Sequence, residues 1–285
     1  MKPAPFVHHA PKTVEEALAT LARLAPEDGR VLAGGQSLVP TMAFRLARPR
    51  HLVDINDVGG LDRLAIVGEM LSIGACVRHA AFHRPVAEGP LGRLLAVVVR
   101  HIAHYPIRTR GTFCGSLAHA DPASEWCLVA TTLGAEIVAN RAQGVRTIAA
   151  DRFFEGMMAT ALAEDELLTE ARLPILAADT RFGFYEFSRR AGDYAIAMAL
   201  ATFRIVDGAI VEPRLGVGGA EGRPRRVAEA EAALAGNVPD IATFRAAADA
   251  AAGAVDPMED IQASADYRRD LVRTVARRAL ERSLA

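Results

Sequence analysis

Cysteine is scarce in this 285-residue chain. The three present, Cys76, Cys114 and Cys127, fit neither a disulfide framework nor a CxxC-type metal site. They point to a reducing compartment, and the cytoplasm is the expected location. No run of about eighteen apolar residues occurs, which excludes a membrane-spanning helix. The opening MKPAPFVHHAPKT has no apolar core segment and so predicts no secretory leader. An excess of one charge is missing as well. Against 34 acidic residues stand 33 basic ones, nearly all Arg and scattered, for a formal net charge of −1. No global field gathers nucleic acid or an acidic membrane surface. Internal repeats and low-complexity tracts are also absent. What remains is ordinary for a soluble globular protein: 51% hydrophobic and 24% charged residues, in a length that suits two or so domains.

The periodicities divide the chain. Phe6 to His8 reads as a strand. Thr13 is a candidate N-cap, with Glu15 and Glu16 in the first turn of a helix to Ala25. A strand at Arg30–Leu32, a helix at Leu38–Leu46 and a strand at His51–Ile55 complete a β-α-β-α-β lobe over residues 1–57. Residues 58–176 read as a second lobe. It holds a hairpin around Gly68-Glu69, an apolar helix from Leu91 to His104, a helix at Glu125–Gly134, a strand at Glu136–Ala139, a short helix at Ile148–Met157 and a strand at Leu167–Leu173. Residues 177–285 read as three antiparallel strands, with a hairpin signal at Asp207-Gly208, followed by an Ala-rich helical tail broken at Gly236 and Pro257.

Two glycine-bearing loops carry the functional signal. The first is Ala33-Gly34-Gly35-Gln36-Ser37-Leu38, after a strand and before a helix. The second runs from Gly111 through Thr112, Cys114, Gly115 and Ser116 to Asp121 and Glu125, with Pro122 read as the start of the next helix. Glycines let backbone N–H groups approach a phosphate, and a helix N-terminus adds a favourable dipole. Two such loops can hold the two phosphates of a dinucleotide from opposite sides. A tight turn capped by Ser37 is the plainer reading of the first loop. A loop with a helix cap, or a metal site at His119 and Asp121, are the others for the second. A third stretch, Ser188-Arg189-Arg190-Ala191-Gly192-Asp193-Tyr194, offers a bend and a flat ring that could cover a flavin, or simply a core Tyr after a surface turn. Gly216-Val217-Gly218-Gly219 imitates a nucleotide loop, but Pro224 follows and the segment reads as a turn. The arginines from Arg268 to Arg278 read as one solvated helix face, with a partner-binding face as the alternative.

In this order and spacing, the stretches VLAGGQSLVP, IRTRGTFCGSLAHADPASE, LLTEARLP, SRRAGDYAIA, LGVGGAEGRPRRVAEAEAAL and YRRDLVRTVARRAL resemble the FAD-binding medium subunit of the molybdenum hydroxylases, the carbon monoxide dehydrogenase and xanthine dehydrogenase family. The resemblance covers nearly the whole chain. It implies an α+β fold: a vanillyl-alcohol-oxidase (PCMH) type FAD-binding domain of two lobes, then a C-terminal domain with a small antiparallel sheet and helices. By this likeness Ala33 to Ser37 and Thr112 to Ser116 would clasp the FAD pyrophosphate, with Leu38 and Gly111 as adjoining cofactor-binding residues. Asp121 and Glu125 match positions near the sugar-like hydroxyls, Leu168 one beside the isoalloxazine, and Tyr194 one that flanks it. Cys114 stands where the family usually has a glycine, which would make a left-handed backbone there awkward. Some relatives carry a Lys near 185 or 186; here those positions are Tyr185 and Glu186.

The implied role is electron transfer. FAD would be held without a covalent bond, beside a small [2Fe–2S] subunit and a large molybdopterin subunit, in a dimer of heterotrimers. No residue needs to be a nucleophile or a general base. The alternative is a self-sufficient flavoenzyme, an oxidase or reductase, on the same fold. Substrate and final electron acceptor leave no mark in the sequence.

Overall fold

The structure of the chain, a computed structural model, describes residues 2–284. Strand β1 (Val7–His9), helix α1 (Val14–Leu24), β2 (Gly29–Leu32), α2 (Leu38–Ala43) and β3 (His51–Asp54) come first. Their sheet has the order β1-β3-β2 with both pairings parallel. Thr13 starts α1 by accepting a hydrogen bond from the Glu16 N–H at 3.2 Å. Ala17, Leu21 and Leu24 then bury one stripe of the helix.

Next come β4 (Leu64–Val67), β5 (Met70–Gly74), α3 (Gly89–Val98), α4 (Tyr105–Arg108), α5 (Phe113–His119), α6 (Glu125–Leu133), β6 (Glu136–Arg141), β7 (Gly144–Ala149), α7 (Ala150–Phe153), β8 (Phe154–Gly156), β9 (Ala159–Thr160) and β10 (Leu167–Pro174). Five of these strands make an antiparallel sheet in the order β4-β5-β10-β6-β7. Every residue of α6 is buried. Trp126 packs on Phe82 and Phe113, with ring centroids 5.1 and 4.9 Å away, and its indole N–H donates to His79 Nδ1 at 2.9 Å. Burial pushes the His79 imidazole down to about 3, so it is neutral and free to accept that bond.

Four expectations change here. The apolar helix ends at Val98, not His104, and Arg108 Nη1 takes up the carbonyls of Val99 and Arg100 at 3.0 and 2.9 Å. The stretch read as a helix at 148–157 is the end of β7, one turn of helix and β8. Strand β7 is an exposed edge with only Ile148 buried, so it has no apolar alternation to read. Much of the second motif is not a loop but helix α5, capped by Thr112. Pro122 lies before α6, whose cap is Ser124.

The remainder is an antiparallel sheet of β11 (Arg181–Phe187), β12 (Ala197–Val206), β13 (Ala209–Gly218) and β14 (Arg225–Arg226) in that order, one strand more than expected, with α8 (Ala228–Leu234), α9 (Ile241–Ala254) and α10 (Ala265–Arg282). The β12–β13 turn has left-handed residues at both Asp207 and Gly208, the geometry that matches strand twist. Strand β12 lies between two cores. Met198 and Leu200 join the core around α6, while Ala197, Ala199, Ala201 and Phe203 face the three helices. Arg268 is the exception to the solvated helix face. It is 3% exposed, and its guanidinium donates to the carbonyls of Ile196 and Gly219 and to Asp260.

Helix α10 sits so close to β11 that a Cβ on Gly183 would stand 1.9 Å from the Ala279 carbonyl oxygen. Replacing Gly183 by Ala forces helix and sheet apart, a cost of about 3 kcal/mol. Urea unfolding should show this loss; an unchanged midpoint would contradict the packing.

Candidate functional site

The two glycine-bearing segments are distant in sequence but touch in space. A Cβ on Gly34 would lie 2.4 Å from the Arg110 carbonyl oxygen and 2.6 Å from Gly111 Cα. Only glycine permits this approach. Across the contact, Ala33 Cβ lies 3.9 Å from the place a Gly115 Cβ would take. Two residues that the sequence did not single out hold the segments together. Asn56 Nδ2 donates to the Ala33 carbonyl at 2.8 Å, and Arg78 Nη2 donates to Asn56 Oδ1 at 2.6 Å. Arg78 Nη1 donates to the Arg110 carbonyl. Arg78 also forms an antiparallel bridge with Thr112, closed by His79 N–H to Gly111 O at 2.9 Å and Phe113 N–H to Val77 O at 3.0 Å.

The first segment then presents donors with no acceptor. Among the described residues, the N–H groups of Gly34, Gly35, Gln36 and Ser37 donate to no oxygen of the chain, and all four residues are only half-buried. Backbone N–H groups seldom go unpaired away from water. Gly35 is left-handed at φ +71°, so the run turns as a concave nest of the kind that takes up an anion. Ser37 stands at the N-cap position of α2, but its hydroxyl makes no capping bond. The Gln36 amide folds back onto the Gly34 carbonyl at 3.0 Å. Leu38 opens α2.

The second segment is tighter. Thr112 is buried, and its hydroxyl accepts from the Gly115 N–H at 3.0 Å. That bond engages one of the backbone donors of this segment. Cys114 sits in α5 without positive φ, so no left-handed strain arises. Its thiol turns inward and donates to the Ile73 carbonyl at 3.3 Å, and burial pushes its pKa well above the ordinary thiol range. Ser116 is half-buried, and its hydroxyl makes no hydrogen bond among the described residues. These features suit a diphosphate: a glycine-lined nest, a helix N-terminus and free hydroxyls meeting on one contact.

Other predicted residues gather at the far end of α5. Asp121 accepts from the Ala123 N–H at 2.9 Å. Glu125 is buried at the start of α6 against Glu186 of β11. Tyr194 is 62% exposed, and desolvation of its hydroxyl together with the charges of Asp121 and Glu125 raises its pKa. The turn carrying Tyr194 packs at Gly192 against the His104 ring. Leu168 is 5% exposed, on β10 beside a bulge, in the sheet that underlies α5. Position 185 lacks a Lys, yet basic groups come there from α10: the guanidiniums of Arg278 and Arg282 lie 4.9 and 4.5 Å from the centre of the Tyr185 ring. Among the described residues, no group of three His, Cys, Asp or Glu side chains is placed to hold a metal, and no helix is long and apolar enough to cross a membrane.

Residues 4–176 match the family described as the FAD binding domain in molybdopterin dehydrogenase. The chain belongs to this family. Residues 182–283 match the carbon monoxide dehydrogenase flavoprotein C-terminal domain. The medium subunit of nicotine 6-hydroxylase from Paenarthrobacter nicotinovorans is 39% identical over 97% of this chain and 96% of its own length. Among solved structures, carbon monoxide dehydrogenase from Hydrogenophaga pseudoflava superposes with a TM-score of 0.95 at 35% identity, over 100% of this chain and 99% of that one. Quinoline 2-oxidoreductase from Pseudomonas putida 86 gives 0.93, also at 35% identity, with 100% and 99% covered. The resemblance seen in the motifs therefore holds, as does the α+β fold it implied. The protein is an FAD-binding oxidoreductase subunit of the molybdenum hydroxylase type.

Arg78 is the bracket between the two segments of this FAD-binding domain. Arg78→Ala leaves the Arg110 carbonyl and Asn56 without their charged donor, a loss of about 2 kcal/mol. Hydrogen exchange at residues 33–37 and 111–115 should speed up, with urea stability lowered to match. Unchanged exchange in both segments would contradict the bracket.

Proposed function

We propose that the protein is the electron-transfer subunit of a molybdenum hydroxylase complex, carrying electrons from [2Fe–2S] clusters of a partner through FAD to an external acceptor. The observation that supports this most is the row of unpaired N–H groups at Gly34 to Ser37, pressed against the backbone of the second segment. The pyrophosphate would lie there, with Ser37, Ser116 and the α5 N-terminus as further donors. Asp121 and Glu125 would accept from the sugar-like hydroxyls, Leu168 would lie beside the ring, and Tyr194 would flank it. Residues 1–57 and 58–176 would be the two lobes of this clasp, and 177–285 a separate domain set against it.

Bound FAD supplies a carrier that takes up electrons one at a time and releases them singly or as a pair. The chain's own part is to bind, orient and shield. Its three thiols are all buried and turned to the carbonyls of Ile55, Ile73 and Ser116, which leaves none for a covalent link to the cofactor. Relatives that match nearly the whole chain are named for nicotine, carbon monoxide and quinoline. So wide a range on one scaffold argues that another subunit reads the substrate. A large molybdopterin subunit and a small [2Fe–2S] subunit, in a cytoplasmic dimer of heterotrimers, complete the proposal.

Acid denaturation should release free FAD, and the isolated chain should turn over none of these substrates. Mixing it with a reduced [2Fe–2S] partner should bleach the flavin absorbance. Flavin left on the polypeptide, or substrate oxidised by this chain alone, would refute the assignment. Gly35→Val, which puts a β-branched residue in the left-handed region, should abolish flavin uptake while circular dichroism stays near that of the parent chain. Full flavin content would exclude the nest as the phosphate site.

A further inference from the structure

Where α6 meets β11, two carboxyl groups are buried against each other. Glu125 is 9% exposed, and the side chain of Glu186 is 3% exposed. Their carboxyls are within hydrogen-bonding reach of one another. Oε2 of Glu186 has no hydrogen-bond partner among the described residues. The nearest basic nitrogen is His101 Nδ1 at 3.8 Å, and burial, followed by the charge of Arg282, lowers the His101 pKa, so that ring is neutral at physiological pH. Asp121 adds a further negative charge from the loop before α6, and Tyr194, on the turn after β11, lies within reach of the charges of Asp121 and Glu125. Arg108 of α4 is the cation that acts on Glu125, and its guanidinium is held by the carbonyls of Val99 and Arg100. Nothing here neutralises two carboxylates at once. Burial first, then the neighbouring charge, pushes both groups above the usual carboxylate range: Glu125 is the charge acting on Glu186, and Asp121 the one acting on Glu125.

We propose that Glu186 is a neutral acid at pH 7 that donates its proton to Glu125, and that this bond fixes the Glu125 carboxylate as an acceptor for the cofactor's hydroxyls. Glu186 is a positioning residue; the second half of the proposal rests on the reading of Glu125 given above. Between two carboxyls sharing one proton, the bond is strong and directional, because the acceptor is charged. It holds one negative charge in the pocket where two would repel. The sign follows from the direction of the shift. The bond holds between the raised pKa of Glu125 and the higher one of Glu186; it is lost as pH climbs through the latter, when a second charge pushes Glu125 out of place.

The test uses the full chain freed of flavin. FAD is titrated by fluorescence quenching from pH 6.5 to 9.5, for the parent chain and Glu186→Gln, whose amide donates at every pH. The parent's Kd should weaken about tenfold across the alkaline half of the range, and that of E186Q by less than about twofold. Infrared spectra of the cofactor-free parent chain should show a protonated-carboxyl band at pH 7 that fades as pH rises and is missing in E186Q. A parent Kd that is flat with pH, an equal slope in E186Q, or no such band at pH 7 would each overturn the proposal. Should E186Q fail to fold by circular dichroism, the band's pH course in the parent chain decides alone. If no FAD binds at any pH, the reading of the cleft fails and the positioning role with it, while the infrared band still reports whether Glu186 holds a proton.

Discussion

The arrangement depends on one close approach: the backbone at Gly34 against the backbone at Arg110 and Gly111. Any side chain at Gly34 would occupy the place of the Arg110 carbonyl. The first segment belongs to a three-stranded parallel sheet and the second to a helical layer over a five-stranded antiparallel sheet. Their contact therefore joins the parallel sheet to the layer over the antiparallel one. Asn56 and Arg78 lock it with hydrogen bonds to carbonyls rather than to N–H groups. The N–H groups from Gly34 to Ser37 find no acceptor among the described residues.

The electrostatics differ from one end of the site to the other. Near the glycine contact the field comes from N–H groups and the N-terminus of α5. Near Tyr194 it comes from the carboxylates of Asp121 and Glu125. A molecule that is anionic at one end and rich in hydroxyls further along matches that order. The packing beneath is rigid. Helix α6 is buried on all sides, Trp126 is locked by His79, and β12 ties the C-terminal sheet to the same core. Glu125, Leu168 and Glu186 thus sit on regular elements of this packing.

Local rules made much of this readable in advance. Thr13, the Asp207-Gly208 turn and the breaks in the helical tail follow from capping, turn chemistry and helix propensity. The glycine segments stood out by their order and spacing, although a tight turn or a helix cap would account for each alone. What stayed hidden was tertiary. Arg268 looks like its exposed neighbours on α10 until Ile196 and Gly219 are seen to need its donors. Asn56 and Arg78 carry no periodic or motif signal; their importance arises only where distant strands meet. Strand β7 escaped notice because an edge strand can be polar on both faces. Cys114 looked awkward in a presumed loop, and the difficulty vanished once Thr112 was found to start a helix there.

The clasp is tested most directly by the amide resonances of Gly34, Gly35, Gln36 and Ser37 in a nitrogen-15-labelled chain, followed as FAD is added. Hydrogen bonds to a diphosphate should move these four amide protons downfield, more than any others outside the start of α5, with inorganic pyrophosphate shifting the same set. Saturated flavin binding with those four resonances unmoved would show that the cofactor is held elsewhere.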